Sequence, residues 1–448
     1  MHRRLGLGAQ SLPDIRVPPP GPQSREMAAR LASLESPAFE SRRNARARES
    51  GEPQLPIVYA EGAGANVIDV DGNAYVDLVA GFGALLLGHC PPQIKDAIDR
   101  QSSRLWLALG DVFASDAKVI LCDRLARLYP EAGARVMLGT SGADAVTAAL
   151  KSAVLATGRA GVIAFEGAYH GLSHGPLALC GLQASFREPF ADQLNAHVTF
   201  APYPSDERSL GTSLAVVQSA LATGSVGAVL VEPVLGRGGC VVPPPGFLPS
   251  LRAACDSAGA LVVSDEIWTG LGRSGAWLAS VDDAIVADIV CLGKGLGGGL
   301  PISACIGSGR MMAAWGKHGG ATLHTATHFG APLACAAAIA TLDALAERGL
   351  PERARDLGLR WTKALRARTA GLGVVEVRGR GLMVGIVLEG GARRALAVAR
   401  RLLGRGWIVL TGGIRGDVLT LTPPLDIEEA LLDAFNGAVA EVLAEHLA

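Results

Sequence analysis

From about residue 92 onward the chain repeats one unit: an amphipathic helical run followed by a short apolar run. The helical runs include "PQIKDAIDRQSSRLWLA", "DAKVILCDRLARLYP", "ADAVTAALKSAVLATG" and "GFLPSLRAACDSAG". The apolar runs are "ARVMLG" (134–139), "GVIAFEG" (161–167), "GAVLVEP" (227–233), "ALVVSDEI" (260–267) and "ADIVCLG" (287–293). Continuous apolar runs are strands buried on both faces. Their alternation with helices predicts an α/β domain with a mainly parallel sheet.

The flanks follow other patterns. Residues 66–81, "NVIDVDGNAYVDLVAG", alternate apolar and polar positions around Asp71-Gly72 and predict a hairpin. Residues 26–50 predict helix, with Arg42, Arg43, Arg46 and Arg48 on a solvated face. After "ATLDALAERG" comes a second helix-rich unit, with strands near "GLMVGIVLEG" and "VLTLTPPL". The expected organisation is an irregular lead (1–25), poorly ordered or wrapped on a partner surface, and a segment (26–90) contributing to a small α+β domain. A large domain (91–334) and the rest of the small domain (335–448) follow.

Charge and composition narrow the function classes. The 41 basic and 42 acidic residues nearly cancel, so neither a nucleic-acid surface nor a polybasic membrane patch is implied. Apolar runs stop well short of the roughly 20 residues a spanning helix needs. The N-terminus has basic residues but no apolar signal core. The eight cysteines form no C-x-x-C pair and sit in apolar contexts, which suits reduced thiols in the cytoplasm.

In an open parallel sheet, ligands gather where the strands end at their carboxyl termini. The residues found there are Thr140, Ser141 and Gly142, then Tyr169 and His170, Glu232, Asp265 and Lys294. "TSGADAVTAALK" opens a helix with Ser141 as N-cap and Asp144 in the capping-box position, and leaves the N–H groups of Gly142 and Ala143 open to a phosphate. Asp265 ends a buried strand, where a carboxylate requires a cation or strong donor such as a protonated pyridine nitrogen. Tyr169 or His170 offers a ring for stacking. In a dry pocket the Lys294 amine, set in "CLGKGLGGGLPIS", becomes nucleophilic toward an aldehyde. A lysine, a ring-nitrogen carboxylate, a phosphate cup and a stacking ring are the parts pyridoxal 5'-phosphate requires. "GLGRSG" (270–275) matches a dinucleotide pattern, but no convincing helix follows it. In "GKGLGGG" the lysine precedes most of the glycines, unlike a nucleotide-triphosphate loop.

With these motifs, and with "DGNAYVDLVAGFGALLLGH", "FEGAYHG", "VEPVLGRGG", "SDEIWTGLGRSG", "HTATHFGAPLACAAA" and "RGRGLMVGI", the chain resembles the class III pyridoxal-phosphate aminotransferases of fold type I. The likeness extends to the ω-aminotransferases and 4-aminobutyrate aminotransferases and covers about residues 40–445. It implies that Lys294 holds the cofactor as an aldimine and shuttles the proton, and that Asp265 pairs with the pyridinium. Ser141, Gly142 and Ala143 would cradle the phosphate, with Tyr169 and His170 stacked on the ring and Glu232 close by. Thr327 matches the family's phosphate-binding threonine, which the neighbouring subunit supplies, so a homodimer with shared sites is implied. The reaction expected is transfer of an amino group from an amine or ω-amino acid to a 2-oxo acid through a pyridoxamine form. An aminomutase of the glutamate-1-semialdehyde type, an amino-acid racemase and a non-catalytic cofactor-binding protein are the alternatives.

Three departures matter. Trp268 stands where many members have Gln, Arg237 where some carry Glu, and Thr420 where those members place an arginine before the Pro-Pro pair. A 2-oxo acid needs a cation, so Arg237 or Arg415 is the expected carboxylate reader. Phe82, Trp106, Trp268 and His328 are candidate pocket-lining residues.

Overall fold

The structure, a computed structural model, describes residues 10–445. The chain forms two compact units: residues 92–355, and residues up to 91 together with those from 356 onward.

In the second of these, strands β1 (Tyr59–Ala63), β2 (Asn66–Asp69) and β3 (Ala74–Asp77) build an antiparallel meander. The hairpin expected around Asp71-Gly72 is the β2–β3 connection. Gly72 has φ +85°, the left-handed backbone that a tight turn asks of glycine. The described part of the lead is ordered against this hairpin, not irregular through residue 25. Asp14 exchanges backbone hydrogen bonds with Ala74, and the Asn73 side-chain oxygen accepts from the Arg16 and Val17 N–H groups. A helix already begins at Pro22, where Asp71 accepts from the N–H groups of Gln23 and Ser24. Residues 1–9 lie outside the described residues.

The larger unit carries seven strands: β4 (Arg135–Gly139), β5 (Gly161–Phe165), β6 (Val198–Ala201), β7 (Val226–Val231), β8 (Leu261–Asp265), β9 (Ile289–Leu292) and β10 (Ser303–Gly307). They form one sheet in the order β4-β10-β9-β8-β7-β5-β6. Neighbours from β9 to β6 run parallel, while β10 is antiparallel to both β4 and β9. All five apolar runs became strands of this sheet. The sheet has the seven strands that the resemblance to fold type I implies, but β6 and β10 had not been located along the sequence: β6 is a half-buried edge strand, and "SACIG" is built of small residues directly behind a glycine-rich loop.

Strands β5, β7, β8, β9 and β10 are buried along their full length, as a sheet covered on both faces must be. Helix Gly142–Thr157 packs Val146, Ala148 and Ala149 against Ala228, Leu230, Val263 and Ile289. Each buried Val, Leu or Ile contributes about 1.5–3 kcal/mol, so this layer anchors the strand ends. Helix Pro332–Glu347 packs on helices Pro92–Ser102 and Asp116–Leu128, and Asp343 pairs with Arg124. The division between units accordingly falls at 355/356, whereas the sequence reading put it at 334/335.

The smaller unit is completed by β11 (Val374–Arg380), β12 (Met383–Leu388), β13 (Trp407–Ile408), β14 (Leu410–Gly412) and β15 (Val418–Leu421). β13 joins β3, and the other four form an antiparallel sheet in the order β11-β12-β15-β14.

Candidate active site

At the carboxyl end of β8 stand two successive acids with different fates, because side chains alternate along a strand. Glu266 turns away from Lys294's side of the sheet and is fully tied. It accepts from Thr269 Oγ1 (2.6 Å), Ala279 N (3.0 Å) and Ser280 N (2.7 Å). Asp265 is buried, with Oδ2 2.7 Å from His170 Nδ1 and Oδ1 accepting from Ile267 N at 3.1 Å. His170 is itself buried, and its other ring nitrogen, Nε2, has no partner among the described residues.

Lys294 follows β9 and has φ +39°, a left-handed backbone that costs a side-chain-bearing residue energy and is held by its surroundings. Its Nζ lies 4.5 Å from the centre of the Trp268 ring. Burial pulls the amine below the ordinary lysine range, opposed by the charges of Asp265 and Glu232 and assisted by Arg237. The result is an amine whose reactive, neutral form is more accessible than that of a surface lysine.

The start of helix Gly142–Thr157 adjoins this lysine. A side chain on Gly142 would meet Ile267 Cδ1 at 2.8 Å, and one on Gly293 would come within 3.5 Å of Gly142 Cα. The expected capping box is present: Ser141 Oγ accepts from Asp144 N, and Asp144 Oδ2 accepts from Ser141 N, Thr140 N and Thr140 Oγ1. Although burial pushes the Asp144 carboxyl up, these hydrogen bonds from Thr140 and Ser141 outweigh it and hold it below the usual range. Helix starts leave their first N–H groups without intrahelical partners, so Gly142 and Ala143 present donors to an anion.

Glu232, at the end of β7, braces two neighbours. Its Oε1 accepts from Tyr169 N and its Oε2 from Gly236 N, both at 2.9 Å. Burial raises its carboxyl above the usual range. Arg237 lies over the Tyr169 ring, 4.7 Å from its centre. Trp268 is buried, its Nε1 has no partner among the described residues, and a side chain on Gly236 would press against its ring at 2.4 Å.

The structure thus gathers Asp265, His170, Lys294, Trp268, Glu232, Tyr169 and Arg237, with the Gly142 helix start beside Lys294. Thr327 belongs to the same unit and is exposed in a turn. Trp106 and His328 are likewise exposed. Phe82 and Arg415 belong to the other unit; Phe82 is exposed, and Arg415 is paired through Nε and Nη2 with Asp417. Behind "GLGRSG" there is only the one-turn helix Ala279–Asp282, which removes the context a dinucleotide site requires. Sequence reasoning missed Ile267, which spaces Gly142 from Gly293, and Gly236, which makes room for Trp268. It also missed that His170 binds Asp265 edge-on. Only the glycine run around Arg237 hinted at a close approach.

These groups fit pyridoxal phosphate. The unpartnered His170 Nε2 and Trp268 Nε1, the glycine-lined helix start and the tucked Lys294 amine leave polar capacity that the protein itself does not use. Comparison with known proteins agrees. The sequence profile of "Aminotransferase class-III" matches residues 47–443. The acetylornithine aminotransferase of Mycobacterium bovis is 40% identical over 395 residues, covering 87% of this chain and 92% of that protein. The ornithine aminotransferase of Toxoplasma gondii superposes with a TM-score of 0.79 at 32% identity, covering 87% of this chain and 90% of the other. A PLP-bound amine transaminase from an uncultivated Pseudomonas species gives 0.80 at 28%, covering 87% and 95%.

Proposed function

The chain belongs to the class III aminotransferases, enzymes that work with pyridoxal phosphate, and from that premise we propose that it moves an amino group from an amine or ω-amino acid to a 2-oxo acid at Lys294. The observation that carries this reading is the convergence of the Lys294 amine with the buried Asp265–His170 pair at the ends of adjacent strands.

When bound, the cofactor supplies an aldehyde and an electron-withdrawing ring that together labilise an amine's Cα proton. Lys294 would be the residue that holds the cofactor's aldehyde carbon and would take up and return that proton at Nζ; its lowered basicity suits both tasks. Asp265 would present its carboxylate to the ring nitrogen, and His170, 2.7 Å from Oδ2, orients that carboxylate from its edge. His170 is thus a positioning residue, and Tyr169 remains the stacking ring. The N–H groups of Gly142 and Ala143, with Ser141, would hold the phosphate.

We also propose that the working form is a homodimer. Leu105, Trp106, Leu107, Leu109, Val112 and Phe113 expose an apolar run that a second copy would cover, and Thr327 is free to reach across. The free, mostly buried cysteines support a reducing compartment, and no helix among the described residues is long and apolar enough to cross a membrane.

The test is product analysis with an amine donor and an added 2-oxo acid. Equal amounts of carbonyl product and new amino acid are expected. Isomerisation of the donor without any acceptor would overturn the reading in favour of an aminomutase or racemase.

A further inference from the structure

Arg237 sits at the tip of a small, rigid loop. Leu235 and Val241 exchange backbone hydrogen bonds at 2.9 and 3.1 Å, and inside them Gly239 N and Cys240 N both donate to Gly236 O. Gly236, Gly238 and Gly239 flank the arginine and put no side chain beside it. At Gly238 a side chain would strike Leu235 Cδ2 at 2.4 Å. The loop's first N–H, from Gly236, is held by Glu232 Oε2, while Glu232 Oε1 holds Tyr169 N. One carboxylate therefore fixes both the arginine's loop and the ring beneath its guanidinium.

What the loop displays is a half-buried cation without a counter-ion. Among the described residues no carboxylate pairs with Arg237, and no hydrogen bond engages its five N–H groups; the Tyr169 face is its contact. The adjacent acid, Glu232, spends both oxygens on backbone N–H groups, and burial favours its neutral form. A guanidinium held in a fixed plane with open donors matches a carboxylate in both charge and geometry. Its charge also reaches the Lys294 amine. Of the two arginines the sequence offered, Arg415 already spends its fork on Asp417, whereas Arg237 does not.

We infer that Arg237, laid on Tyr169 and braced through Glu232, reads the carboxylate of the 2-oxo acid acceptor and of the amino acid formed from it. This rests on the aminotransferase reading above. The cation comes from the loop after β7, beside the buried Glu232 that holds the loop's first N–H. The site selects short acids with the carboxylate next to the reacting carbonyl over neutral aldehydes of the same length.

The experiment compares 2-oxobutanoate with propanal, which lacks only the carboxylate, as acceptors for the amine-loaded holoenzyme. In Arg237→Ala the ratio of acid to aldehyde kcat/KM falls about 10- to 100-fold, the range for losing a charge-assisted, two-point hydrogen bond. Arg237→Lys, with charge but no fork, falls between wild type and Ala. Calorimetric titration of the wild-type holoenzyme with butanoate shows binding that weakens by a similar factor in Arg237→Ala. An unchanged acid-to-aldehyde ratio overturns the inference. So does a selective loss of cofactor affinity in Arg237→Ala, which would make the anion read the cofactor's phosphate. Failure of the wild type to aminate either acceptor would instead sink the aminotransferase reading on which the inference stands.

Discussion

Asp265 and His170 close on each other at 2.7 Å, Asp265 takes a further N–H from Ile267, and Lys294 is pinned between a strained backbone and the Trp268 face. On the loop after β7, Arg237 has an aromatic face but, among the described residues, no counter-ion. The first group is cross-tied by protein contacts and leaves little freedom of position. The second keeps its polar capacity open. The contrast suits the proposed tasks: groups that would serve one cofactor gain from being fixed, while a group that would choose among substrates must keep donors for a ligand that comes and goes.

Replacing residues on each side should separate the two. On the proposed reading Lys294→Ala would remove both the attachment point and the proton carrier, and turnover should fall about 10^4-fold or more in steady-state assays. Asp265→Asn should cost about 10^2- to 10^3-fold in kcat while the chain still folds, since Asn can still bond His170 Nδ1. A drop confined to KM would move Asp265 to the substrate side of the comparison. Smaller than either, Gly236→Ala drives a methyl into the Trp268 ring and should destabilise by about 1–3 kcal/mol, read as a lower thermal midpoint. Adding Trp268→Gln to it should recover most of that loss, and a double variant no better than the single would show that the two are not fitted to each other.

Smallest of all is the helix start. Asp144→Ala should cost about 1 kcal/mol near neutral pH through the lost capping box. Because the folded carboxyl lies below its usual range, its contribution is complete above the unfolded pKa and disappears as the pH falls through the folded one. Wild type and variant should therefore converge in acid, which urea unfolding at several pH values can check.

Much of the constellation was legible because strand ends are. Five apolar runs marked five strands, and topology dictates that their carboxyl ends meet, so Lys294, Asp265 and the Gly142 helix start could be placed together from pattern alone. The strands that escaped, β6 and β10, lack the pattern: one is an edge, and the other is a run of small residues whose antiparallel pairing is set by β4 and β9. The division at 355/356 depends on which helices Pro332–Glu347 packs against, a long-range fact that no local periodicity records. The same holds inside the site. His170 could be read as a ring but not as Asp265's partner, 95 positions away, and Arg237 could be read as a cation but not as one left unpaired over Tyr169.

The central claim is that Lys294 carries the cofactor, and borohydride reduction of the holoenzyme followed by peptide mass spectrometry tests it directly. A pyridoxyl group fixed on Lys294, together with loss of the visible absorption band in Lys294→Ala, is the predicted result. A colourless wild type, or a pyridoxyl group on any other lysine, would contradict it.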